Sequence, residues 1–186
     1  MKPCDISQEK EYRLQLSTGG AKLASVFENF RQKFPGVKSG KMAVTVAIFR
    51  GPEAMESTLV RWLGRIAGNK PAIEITLNNY GGWPPGTIGL RLQDPGVLRQ
   101  LGSRFRVLED FFPGNCWTPS QPRLELGFEM SQDDFETAMA YYTRRRFHCV
   151  TRVEQLILID ESDRRLALLG LRPASLFTKY EDNAIA

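Results

Sequence analysis

The sequence predicts a two-lobed α+β protein whose halves are related by a pseudo-twofold axis around a central cleft. Three observations predict it. Strand-like and helix-like patterns alternate along the chain, about seven of the former and four of the latter. Two strand–turn–helix units echo one another 80 positions apart, one opening at Ala43-Val44-Thr45-Val46-Ala47-Ile48-Phe49 and the other at Arg123-Leu124-Glu125-Leu126-Gly127-Phe128-Glu129. Each echoed strand has one aliphatic face and one mixed face, and two mixed faces meeting across the axis would line a concavity.

The elements follow in order. Glu11 to Leu16 alternates polar and apolar residues, a first strand broken by Gly19-Gly20. Leu23, Val26, Phe27, Phe30 and Phe34 recur at helical spacing until Pro35-Gly36. Met42 to Phe49 is a strand, and Met55, Leu59, Trp62, Leu63 and Ile66 mark an amphipathic helix ending near Gly68. Ala72 to Leu77 and Thr87 to Leu92 are strands joined by a long turn, Asn78 to Gly86, rich in Gly and Pro. Asp94-Pro95 opens a helix carrying Val97, Leu98, Leu101, Phe105 and Leu108, which stops at Phe112-Pro113-Gly114. Gly114 to Pro122 is a loop, and Arg123 to Met130 is a strand. Ser131 and Asp134 resemble a capping box before the face Phe135, Ala138, Met139, Tyr142. Arg152 to Asp160 and Arg164 to Gly170 are strands around a turn at Glu161 to Asp163. Residues 1–178 are expected to form one bilobal domain, with 179–186 a flexible tail.

Composition narrows the function classes. The chain has 186 residues, 42% hydrophobic and 25% charged, with a net charge of +4. Such a chain can bury a proper core. No apolar run is long enough to span a bilayer, and the polar start, Met1 to Lys10, offers no signal peptide. No membrane partner is therefore expected. The mild basic excess permits a polyanion without requiring one. Cys4, Cys116 and Cys149 are odd in number and form no CxxC, so they read as reduced thiols in a cytoplasmic protein. A single histidine, His148, rules out any mechanism or metal site that needs two from one chain. No metal and no cofactor is expected.

On the first echoed strand, Val44, Val46 and Ile48 would share the aliphatic face, and Ala43, Thr45, Ala47 and Phe49 the mixed one. On the second, Leu124, Leu126, Phe128 and Met130 would face helices, with Arg123, Glu125, Gly127 and Glu129 opposite. These mixed faces either line a cleft or are solvated sheet surface. Arg123 could hold an anion bidentately with Thr45 as a second donor, or simply pair with Glu125 two residues on. One cation, Arg123, against Glu125 and Glu129 would make a poor polyanion groove. Tyr80-Gly81-Gly82-Trp83-Pro84-Pro85 is either a stacking loop or a turn whose Trp83 packs on a neighbouring strand. Arg144-Arg145-Arg146 is either a phosphate-tracking patch or solvated charge at a helix C-terminus.

The run Ala43-Val44-Thr45-Val46, the run Pro122-Arg123-Leu124-Glu125-Leu126-Gly127, and Val153 to Ile159 followed by Asp160-Glu161-Ser162 together resemble the two-histidine phosphoesterase superfamily. That group contains 2′-5′ RNA ligase-like proteins and cyclic phosphodiesterases. The resemblance spans about Glu11 to Phe177 and implies antiparallel sheets around a groove, with helices on the outer faces. It also implies one motif per lobe of histidine, hydrophobic, threonine or serine, hydrophobic. Here Ala43 and Arg123 stand at the histidine positions, and Thr45 and Glu125 at the hydroxyl positions. Alanine has no proton to exchange, and arginine stays charged at neutral pH. Each lost proton transfer typically costs about 10²–10⁴ in rate. His148 lies outside both motifs.

The expectation is a degenerate family member, a pseudoenzyme. It would bind a small ligand, phosphate-bearing or not, or a protein partner through Thr45, Phe49, Trp83, Arg123 and Glu125, with no catalytic residue assigned at Ala43, Thr45, Arg123 or Glu125. One alternative is an active phosphodiesterase or RNA end-processing enzyme with a rearranged site. Another is an RNA-binding module. The oligomeric state is not encoded in any visible pattern.

Overall fold

The computed structural model describes residues 9–112 and 114–172. The expected tail, 179–186, and Cys4 lie outside them. The chain forms two five-stranded antiparallel sheets. The first sheet runs β10 (Arg165–Gly170), β9 (Gln155–Asp160), β1 (Glu9–Ser17), β3 (Ala43–Pro52), β6 (Cys116–Trp117). The second runs β2 (Lys38–Ser39), β7 (Arg123–Phe128), β5 (Thr87–Leu92), β4 (Ile73–Trp83), β8 (His148–Val153).

Four helices cover the apolar faces. α2 (Glu56–Ala67) and α3 (Gly96–Phe105) pack on the first sheet, bringing Leu59, Leu63, Leu98, Leu101 and Phe105 onto Leu14, Val46 and Phe49. α1 (Ala21–Lys33) and α4 (Gln132–Tyr142) pack on the second, bringing Phe27, Phe30, Ala138 and Tyr142 onto Leu90, Leu124 and Leu126. The predicted cap is present: Ser131 Oγ accepts from the Asp134 amide at 3.1 Å. Asp94 Oδ1 likewise accepts from the Gly96 amide at 2.8 Å and starts α3.

The pseudo-twofold echo extends through the topology. The order β1, α1, β2, β3, α2, β4 recurs as β5, α3, β6, β7, α4, β9, with every strand exchanged between the sheets. The remaining strands, β8 and β10, are outer edges, one beside β4 and the other beside β9. The predicted strand Arg152 to Asp160 is in fact two strands in different sheets, because the chain crosses from one lobe to the other at Glu154. The predicted long turn Asn78 to Gly86 is mostly strand. β4 continues to Trp83, with its register slipping at Asn79, whose φ is 57°. The glycines there are packing devices: a Cβ on Gly82 would enter the Phe135 ring and the Met139 sulfur. The two-residue strands β2 and β6 are too short to show any alternation in sequence.

Candidate functional site

The alternation on β3 and β7 changes phase midway, and this decides what faces the cleft. Gln15 pairs with Thr45 and Leu14 with Ala47, which leaves Val46 as an extra residue. In the other lobe Gly89 pairs with Glu125 and Ile88 with Gly127, which leaves Leu126 extra. Such a bulge places two successive residues on the buried side. Ala43, Thr45 and Ile48 therefore face the cleft from one lobe, and Arg123, Glu125 and Phe128 from the other.

The bulges correct the expectations at Phe49 and Gly127, and the end of β7, where Glu129 has a φ of 53°, corrects the one at Glu129. Phe49 is not a cleft residue: it is fully buried against Phe112, and Ile48 takes the wall position. Glu129 does not face the cleft either; it lies exposed beyond β7, paired with Lys38. Gly127 turns inward, where any Cβ would strike the Phe30 ring.

The cleft encloses about 510 Å³. Its wall adds residues that the motif strands do not supply: Arg13 and Gln15 of β1, Ser39 and Lys41 ahead of β3, Ser120 and Gln121 ahead of β7, and Asp163. Arg13 and Gln15 were legible in principle, since Tyr12, Leu14 and Leu16 are the buried members of an alternating strand. Asp163 was not, because it arrives from the distant β9–β10 turn.

The cleft charge also differs from the expected count. Three cations (Arg13, Lys41, Arg123) stand against two acids (Glu125, Asp163). Asp163 is held by both Arg13, at 3.4 Å, and Lys41, at 3.1 Å. Arg123 Nε donates to Glu125 Oε1 at 3.0 Å, and the guanidinium lies 4.9 Å from the centre of the Trp83 ring. Trp83 thus stands behind Arg123 at the end of β4, fixing its plane. Among the described residues the terminal nitrogens of Arg123 have no hydrogen-bond partner, so they can still meet an anion. Gln15 Nε2 donates to Thr45 Oγ1 at 3.2 Å, which leaves the hydroxyl proton available.

His148 opens β8, exposed on the outer edge of the second sheet, and is not among the residues lining the cleft. Arg144, Arg145 and Arg146 are exposed in the turn after α4, also away from the cleft wall. Among the described residues no cluster of His, Cys, Asp and Glu is arranged to hold a metal. No described helix is long and apolar enough to cross a membrane.

Two lobes of antiparallel sheet with outer helices and a cleft between paired motif strands define a LigT-like α+β fold. Apo LigT of E. coli superposes with a TM-score of 0.64 at 18% identity, covering 89% of this chain and 99% of that one. A protein of Thermus thermophilus superposes at 0.60 with 15% identity, covering 88% and 99%. E. coli LigT complexed with 3′-AMP superposes at 0.54 with 16% identity, covering 89% and 96%. No family model and no curated protein sequence matches the chain.

Proposed function

We propose that this chain is a non-catalytic relative of the 2′-5′ RNA ligase-like phosphoesterases that binds a phosphate-bearing nucleotide in the cleft. The observation that carries the reading is the pairing of Ala43 and Arg123 at equivalent points of the two lobes, both on the cleft wall. A general acid and a general base would have to stand there, and neither residue can move a proton at neutral pH. What the site offers instead is charge and shape. Arg123 presents two free guanidinium nitrogens in a plane set by Trp83, Thr45 offers a hydroxyl, and Arg13 and Lys41 raise the local potential. The structural neighbour complexed with 3′-AMP makes that nucleotide the natural first probe. The half-buried Cys149 and buried Cys116 are free thiols, in keeping with a reducing cytoplasm.

The test is a phosphorus NMR titration with 3′-AMP and, separately, with a 2′,3′-cyclic nucleotide. A shifted 3′-AMP resonance with an intact cyclic ester is expected. A new phosphomonoester peak from the cyclic nucleotide would instead mark an enzyme with a rearranged site. An unmoved 3′-AMP resonance at stoichiometric protein would remove the nucleotide reading.

A further inference from the structure

A second concentration of positive charge lies outside the cleft, on the face shared by α1, α4 and the turn into β8. Lys22, Lys33, Arg144, Arg145 and Arg146 are all exposed there. Among the described residues none of the five has a carboxylate within 4.0 Å. No acidic residue occurs between positions 137 and 153, and α1 carries only Glu28.

Aromatic rings hold three of the five in place. Lys33 Nζ and Arg145 Cζ each lie 4.1 Å from the centre of the Tyr141 ring. Tyr141 is itself braced edge-on against the buried Tyr142 at 4.9 Å. Lys22 lies 5.4 Å over the buried Phe147 ring and donates to the His148 carbonyl at 2.6 Å. Cations fixed this way lose less freedom on meeting an anion than free side chains would. Lys22 and Lys33 are 11 residues apart on α1, so the array is about 16 Å long.

The array also leads towards the cleft. Beyond Lys33, Arg31 Nε donates to Ser39 Oγ at 3.2 Å, and Ser39 lines the cavity with Lys41. Lys38 lies between them on β2.

We propose that this face is a docking surface for the backbone of single-stranded RNA whose end reaches the cleft. The choice of RNA rests on the nucleotide reading of the cleft; the existence of an anion surface does not. Five cations without carboxylate partners among the described residues, three of them braced on rings, lie near a nucleotide-sized cavity, with the ion-paired Arg31 and Lys38 in between; such an array suits a chain of evenly spaced single charges. A bilayer suits it less, since Val150 is the only large exposed apolar residue in the turn and strand that carry the array.

The experiment measures anisotropy of a labelled uridine-only oligoribonucleotide across a salt series. Five phosphate contacts predict a log–log salt slope of about −3.5, and the triple variant Arg144→Ala, Arg145→Ala, Arg146→Ala should flatten it by about 2. Affinity of that variant at low salt should fall on the order of tenfold or more. These arginines sit in an exposed turn, so the fold is kept, and calorimetric binding of 3′-AMP to the variant should be unchanged. An unaltered slope overturns the proposal, as does absence of oligonucleotide binding by the unmodified chain. Equal competition by polyglutamate overturns it in favour of an acidic protein. Loss of 3′-AMP binding to the unmodified chain with a retained, arginine-dependent slope would sink the cleft reading and leave the surface standing.

Discussion

Val46 and Leu126 occupy the same place in the two lobes: each is the extra residue of its strand, buried, and 80 positions from the other. The paired bulges turn Ile48 and Phe128 to the cleft and send Phe49 to the core. The spacing of the site itself comes from regular alternation. Ala43 with Thr45, and Arg123 with Glu125, lie on the regular stretch before the bulge, two residues apart on one face.

Arg123 should dominate anion binding. Arg123→Ala is expected to weaken 3′-AMP by about 1.5–3 kcal/mol, the value of a hydrogen bond to a charged group. Arg123→Lys should not restore it, because an ammonium lacks the planar fork that Trp83 supports. Calorimetry on the three proteins checks this; equal affinities would remove Arg123 from the site.

Glu125 competes with the ligand for the Arg123 guanidinium. Glu125→Gln should therefore tighten 3′-AMP, by about 0.2–1 kcal/mol for a partly exposed pair. Turnover of a cyclic nucleotide by the unmodified chain that vanishes in Glu125→Gln would instead make this carboxylate a proton carrier.

Gly127 is a packing glycine. Gly127→Ala pushes a methyl into the Phe30 ring and should cost about 1–3 kcal/mol in urea unfolding. Gly114→Ala is not an equivalent control, because Gly114 has a φ of 70°. Gly170→Ala is one, since a Cβ there meets nothing.

Stability should fall on the alkaline side. Burial pushes the Cys116 thiol up to about 11 from 9.0, and burial, helped by Glu56, pushes the Tyr12 phenol up to about 12 from 10.0. Both groups are neutral when protonated. Their contribution is full below the unfolded values and is lost as pH rises through the folded ones. Unfolding free energy should thus decline from about pH 9 upwards, and Cys116→Ala should flatten the limb between about 9 and 11. A limb of unchanged steepness would contradict this. In peptide mapping at neutral pH, Cys149 should alkylate well before Cys116.

The acid limb has a different source. Asp160 accepts from Arg164 Nε at 2.9 Å, and from the amides of Arg164 at 2.9 Å and Ser162 at 3.0 Å. The Arg164 side chain first, then these amides, holds its carboxyl below the usual value of 3.8. That stability is present above pH 3.8 and is lost as pH falls through the lowered value. Asp160→Asn should move the acid midpoint and weaken the β9–β10 turn by about 1–3 kcal/mol. The same turn carries Asp163 to the cleft, so loosened Arg13 and Lys41 contacts should accompany the change.

The sequence by itself determined the two-lobed class, the helices, the capped start of α4 and the echoed strands. Each of these is written in local periodicity: apolar residues every three or four positions, or every second one, leave the backbone little choice. It also determined that neither Ala43 nor Arg123 can move a proton at neutral pH, since that follows from residue type alone. Only the tertiary structure decided which residues meet. Neither bulge residue has a positive φ or is a glycine, so the phase change at Val46 and Leu126 leaves no mark in the sequence, and simple alternation puts Phe49 and Gly127 on the wrong side. Cross-strand pairing with β1 and β5 produces that slip. Asp163 reaches the cleft from the distant β9–β10 turn, and Lys33 and Arg145 meet on one ring from two parts of the chain. Those encounters depend on how sheets and helices pack, a long-range consequence of burying the core that no local pattern encodes.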